Sequence, residues 1–322
     1  MATINSLMKH LRENGVQISG STQKRKLRRI GYYHGYKGYR FAGTSLNRLP
    51  ITDFDEIVAL HDFDMRLKSI FYEPLMSVET ALKNRVLEAV LEHSGSEQFE
   101  VIYKTSLTAY RCCSGKREYK DAWTSRLRLH AEIDQLIARS HRNKAVISHF
   151  CDKDMDIPIW AIFEIMTLGN FGAFYGCLHD DVKKAICVDL NMPIRNFDSA
   201  AVLKKIIFSL KDLRNAVAHN GIILDVRFKT GQVHKSVGSL LKNEMGAQGI
   251  EFKEIADYAV LLVYLMTKLS FTKTERKRFL SSFVDELEKY RSVCRSLFIH
   301  NLSAHRLGQR WKLLVDLRKI TR

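Results

Sequence analysis

Apolar residues recur along this chain at the three- and four-residue steps of helices, not at the two-residue alternation of half-buried strands. Ile4 to Glu13 predicts a short helix and Gln23 to Ile30 a second, followed by a glycine- and tyrosine-rich turn region from Gly31 to Phe41. Asp53 with Glu56 three positions later has the form of a capping box. One helix is expected from there to Leu60, and a longer one from Asp62 to His93 through Leu67, Ile70, Phe71, Leu75, Val78, Leu82, Val86 and Val90. Pro74 should kink or interrupt that helix unless it opens a new one. Glu79 and Lys83 suit an i,i+4 ion pair; the alternative is that they line a site wall with Arg85.

Residues 94–117 read as a loop with a short helix from Glu97 to Thr105, and helical periodicity resumes over 118–149. Pro158 then opens an almost wholly apolar segment through Trp160, Ile162, Phe163, Ile165 and Leu168. It predicts a buried helix ending at Gly169-Asn170. A short helix over 180–190 and a connector at Asn191-Met192-Pro193 lead to a further helix that starts near Ser199. Beyond it, Ile222 to Phe228 predicts a short strand or an extended exit, and the glycine-punctuated stretch 229–249 predicts mobility. Helices are expected over 251–270, over 273–299, and finally to about Ile320.

The helix beginning near Ser199 carries the most specific chemistry. It keeps Val202, Leu203, Ile206, Ile207, Leu210, Leu213 and Val217 at helical spacing and closes on Arg214-Asn215-Ala216-Val217-Ala218-His219-Asn220-Gly221. Asn220-Gly221 is a stop signal, because both residues tolerate the left-handed conformation that ends a helix. Asn215 and His219 are four apart and share a face, so the amide can orient the imidazole. Arg214 and His219 are five apart, roughly 140° around the helix, and do not simply converge. A helix C-terminus favours positive charge, which accounts for Arg214 and His219 on structural grounds alone. The chemical alternative is an arginine to hold phosphate beside a histidine to move protons, the parts required to cleave RNA without a metal.

An Arg followed five to seven positions later by His also occurs at Arg28 or Arg29 with His34, Arg142 with His149, Arg227 with His234 and Arg295 with His300. Context separates Arg214–His219 from these: a helix end, an adjacent Asn, small residues at 216 and 218, and an immediate stop. The setting resembles the R-N-x-x-A-H signature of HEPN ribonucleases, in particular the Abi (abortive-infection) family of bacterial phage-defence proteins. Other stretches carry the same resemblance in the same order: Leu7–Val16, Ile30–Tyr36, Phe54–Leu67, the helix with Glu79 and Arg85, and Pro158–Phe171. Leu168 departs from the family, which often has Phe before the glycine; this is a packing change.

The resemblance implies a mainly α fold, a HEPN-like helical bundle with basic N-terminal and C-terminal helical extensions. The corresponding divisions are 1–50, 51–230 and 231–322. It implies an anti-phage, toxin-type endoribonuclease in which the ribose 2′-hydroxyl attacks the adjacent phosphorus. Arg214, Asn215 and His219 would be its catalytic residues, with no metal and no cofactor. HEPN families usually pair two motif helices, so a homodimer is implied. The alternative is an RNA-binding protein held in complex with a structured noncoding RNA, with cleavage latent or absent, as in toxin–antitoxin pairs.

Charge sharpens this picture. The net charge of +16 is concentrated at the ends: residues 1–50 and residues 268–322 each carry +9, and the middle carries −2. A polyanion would therefore be gripped by the ends while the centre does the chemistry. Lys24, Arg25, Lys26, Arg28 and Arg29 form the densest cluster, and Tyr33, Lys37 and Arg40 follow it. Cations interleaved with aromatics suit single-stranded RNA, phosphates on the former and bases on the latter. Arg227, Arg276, Lys277 and Arg278 are further candidate RNA contacts. A DNA-binding regulator is the weakest alternative, since no helix-turn-helix is evident. The six cysteines, at 112, 113, 151, 177, 187 and 294, have neither zinc spacing nor a secretory framework. No apolar run reaches the ~18 residues of a membrane span and no charged-then-apolar leader opens the chain, which predicts a cytoplasmic protein without membrane attachment.

Overall fold

The computed structural model describes residues 3–194 and 198–293. Within them lie thirteen α-helices and no strand, confirming a mainly α fold. In chain order these are α1 (Ile4–Glu13), α2 (Gly20–Tyr32), α3 (Phe54–Ser94), α4 (Phe99–Thr105), α5 (Tyr119–Ser140), α6 (Ala145–Cys151) and α7 (Ile159–Ile165). They continue as α8 (Leu168–Cys177), α9 (Asp180–Asp189), α10 (Ser199–Ala218), α11 (Lys235–Met245), α12 (Ile255–Lys268) and α13 (Lys273–Val293). None of these helices is long and apolar enough to cross a membrane. The expected final helix to Ile320, with Cys294, lies outside the described residues.

Two compact units divide the chain, one of residues 1–75 and 212–322 and one of 76–211. The boundaries fall inside helices α3 and α10, whereas the divisions read from the sequence follow charge and periodicity. In the first unit α12 is the centre. Its residues Ile255 to Met266 are all buried, the all-round burial of a core helix. Helix α13 lays Phe279, Phe283 and Tyr290 on α3, where Phe63 stacks on Tyr290 at 4.1 Å and Phe71 meets Phe283 edge-on. In the second unit Val78, Leu82, Val86 and Val90 of α3 are buried, as are Leu129 and Ile133 of α5 and Val202, Leu203, Ile206 and Ile207 of α10.

Four sequence expectations change. The helix expected to break near His61 is continuous from Phe54 to Ser94, because the buried stripe Leu60, Phe63, Leu67 and Phe71 runs through that point. Pro74 sits inside it, beside the unit boundary at Leu75, and costs one backbone hydrogen bond. The helix expected to end at Gly169-Asn170 ends instead at Ile165, and those residues lie in the first turn of α8. Thr167 is the reason, since its hydroxyl accepts from Asn170 N and caps the new helix. Residues 222–228 form no strand, and the stretch 229–249 contains α11, whose Val237, Leu240 and Leu241 are buried. The capping box is present: Glu56 accepts from Asp53 N at 3.0 Å. Glu79 and Lys83 are paired at 3.0 Å.

Candidate active site at the exit of α10

The end of α10 is built by three small or flexible residues. His219 N still donates to Asn215 O at 2.9 Å, and the chain then reverses at Asn220, whose φ is +55°. Gly221 N donates back to Ala216 O at 2.7 Å, the long bond of a Schellman cap. A Cβ on Gly221 would lie 3.2 Å from Ala216 Cα, so glycine and alanine at these two positions permit the closure. The stop signal expected at Asn220-Gly221 is thus observed. Asn215 and His219 are exposed and Arg214 is half-buried. Among the described residues the Asn215 amide and the His219 ring share no hydrogen bond.

Beneath the turn lies a buried polar hub that sequence reasoning missed. Asp64 of α3 is fully buried, and one carboxylate oxygen accepts from Ile223 N and Leu224 N, both at 2.9 Å. The other accepts from the Tyr39 hydroxyl at 3.2 Å and pairs with Lys68 at 2.9 Å. Lys68, itself buried, then donates to the Asn220 side-chain carbonyl at 2.6 Å. A chain of polar contacts therefore runs from α3 to the residue next to His219. It also serves the backbone immediately after it, which has no ladder to satisfy its amides. Burial first, and then the Asp64 carboxylate, push the Tyr39 phenol well above its ordinary range, so it stays a neutral donor.

Two histidines flank this hub. The rings of His34 and His61 are 6.1 Å apart, and each lies 6.4 Å from the Tyr39 ring. Burial, then Lys68 and His61, hold the His34 imidazole below its ordinary value, against the pull of Asp64. Among the described residues, His34 Nδ1 is buried without a hydrogen-bond partner. The signal for the hub was legible in principle: Asp64 and Lys68 fall at i,i+4 on the stripe of Leu60, Leu67 and Phe71. Charged residues there must be paired if they are buried.

The candidate RNA-contacting residues divide into free and committed groups. On α2, Arg25, Arg28 and Arg29 are exposed at i, i+3 and i+4, while Leu27 is buried. Lys24 is half-buried, and Lys26 is paired with Asp55 at 2.9 Å. Tyr33 and Lys37 are exposed, whereas the neighbouring Tyr36 and Tyr39 are core residues. The Arg40 guanidinium stands 4.5 Å from the Phe41 ring centre. Arg227 is engaged internally, pairing with Asp225 and donating to Gly38 O. On α13, Arg276 donates to the Thr267 hydroxyl at 2.8 Å, Arg278 pairs with Glu73 at 2.8 Å, and Lys277 is exposed.

A family model described as Abi-like protein matches residues 25–225, from α2 through the exit of α10. No curated protein and no solved structure gives a match to this chain. With the match spanning more than half of its length, the chain belongs to the Abi-like protein family.

Proposed function

We propose that this chain is an anti-phage abortive-infection protein that acts as a metal-independent endoribonuclease of the HEPN type. Membership of the Abi-like family suggests abortive-infection defence. The observation that carries the enzymatic reading is the exit of α10, where an exposed imidazole stands on a turn pinned from below by Asp64, Lys68 and Asn220. A fixed turn lowers the cost of placing a proton-transfer group against a substrate. In the proposed reaction the ribose 2′-oxygen bonds to phosphorus and the 5′-oxygen departs. His219 moves the proton, and Arg214 offsets charge on the phosphorane. Because the two side chains leave the helix about 140° apart, two copies of the chain are proposed to complete one site.

The test is RNA cleavage by wild-type chain, by Arg214→Ala, by His219→Ala and by a mixture of the two variants. Each variant alone should lose at least ~100-fold in rate. A mixture that regains activity supports a shared site, and activity surviving in either variant alone contradicts the assignment. The second reading, an RNA binder with latent or absent cleavage, is favoured by the exposed arginine face of α2. It predicts copurified, uncut RNA in the wild-type chain and binding that falls steeply with salt.

A further inference from the structure

Away from the α10 exit, the first unit holds a cleft of about 510 Å³ between the face of α11 and the turn at residues 249–253. Among the described residues, Lys229, Lys235, Lys242 and Lys253 line it together with His234, and Glu251 is the one carboxylate in that lining. That carboxylate is taken up by Lys253 at 2.6 Å. Lys235, Ser239 and Lys242 stand at i, i+4 and i+7, so a single face of α11 supplies them.

The cleft is held in shape from both sides. A Cβ on Gly238 would lie 2.7 Å from Ile250 O, so the glycine lets the turn rest directly on α11. Phe252 adopts φ +55°, an unfavourable conformation for an aromatic residue. The buried Asp257 carboxylate holds that turn by accepting from Phe252 N at 2.8 Å and Glu251 N at 3.2 Å. Lys229 braces it from the other side, donating to Phe252 O at 3.1 Å. Burial and the neighbouring Lys253 hold the Lys229 ammonium below its ordinary value. Four ammonium groups around one concavity outnumber the two carboxylates that act on them, Glu251 and the buried Asp257 that pulls on Lys229, and the surplus of positive charge favours an entering anion.

We infer that this lysine-lined cleft is a binding site for an oligophosphate, a group of two or three linked phosphates carried by a free nucleotide or by the 5′ end of an RNA. Its volume lies within the roughly 300–1,000 Å³ of small-molecule sites, and its several separate cations suit several phosphates more than one. The inference does not depend on the proposed ribonuclease activity, because binding here is read without cleavage.

Calorimetric titration of the full chain at ~0.15 M salt, a Debye length of about 8 Å, tests it with inorganic triphosphate as the probe. Saturable binding is expected, weakened at least tenfold in Lys235→Gln/Lys242→Gln. Both side chains are exposed, so the fold should survive the change. Arg25→Gln/Arg28→Gln, on α2, should leave it within twofold. ATP and a 5′-triphosphorylated oligonucleotide then distinguish the two sources, and binding of either supports the site. No saturable binding of inorganic triphosphate, or an equal loss in the α2 variant, overturns it.

Discussion

Helix α3 uses the same local device twice, and the two copies do different work. Asp64–Lys68 in the first unit and Glu79–Lys83 in the second are both acid-then-lysine pairs at i,i+4, both largely buried. In each, the lysine reaches past its partner to the end of another helix: Lys83 donates to Met166 O after α7, and Lys68 to Asn220 after α10. Lys83 closes a helix end that bears no candidate chemistry. Asp64 additionally takes two backbone amides and a phenol, and the turn it holds carries His219. A buried ion pair is weak support for stability by itself. What distinguishes Asp64–Lys68 is the segment it immobilises.

The comparison can be broken first through stability. Asp64→Ala leaves Lys68 buried without its anion and two amides without an acceptor, and should cost about 5 kcal/mol in urea unfolding. Glu79→Ala, which leaves Lys83 without that anion, should cost about 3 kcal/mol. Equal losses would remove the contrast in stability between the two pairs. Activity sharpens the contrast further. Lys68→Met should slow RNA cleavage per folded molecule by ~10-fold through a loosened turn, while Lys83→Met leaves that rate unchanged. Parallel effects in the two variants would reduce Lys68 to a general stabiliser.

Acidification tests the Asp64 hub through the histidines that stand beside it. His34 titrates below its ordinary 6.5 in the folded chain. The stability linked to its neutral form is therefore complete above 6.5 and is lost as pH falls from there through the folded value. Melting temperature should drop across that window in the wild-type chain and drop less in His34→Gln. The smallest effect is expected at the surface. Lys26→Gln breaks an exposed pair with Asp55 and should change stability by under ~1 kcal/mol. If α2 grips RNA, the same change lowers the slope of log affinity against log salt by about one.

Much of this architecture was legible in the residues. The helical periods placed α1, α10 and α12, and the Asn220-Gly221 stop defined the end of α10 to the residue. Local patterns failed where tertiary partners decided the outcome. Thr167 split an apolar run into two helices with one cap, and four glycines disguised α11, whose Val237, Leu240 and Leu241 were the visible clue. The candidate site divides the same way. Arg214, Asn215 and His219 were picked out by spacing and context. Asp64, Lys68 and Tyr39 escaped notice because their relation to Asn220 spans more than 150 residues of chain for Lys68 and exists only in three dimensions. Arg227 looked like a surface cation and instead ties Gly38 to Asp225.

The most direct measurement is of the ends left on a labelled single-stranded RNA incubated with the chain in excess EDTA, alongside His219→Ala. Proton transfer by an imidazole on the locked α10 exit predicts a 2′,3′-cyclic phosphate and a 5′-hydroxyl, formed by the wild-type chain and absent with the variant. Intact RNA with the wild-type chain, or the same products from His219→Ala, contradicts it.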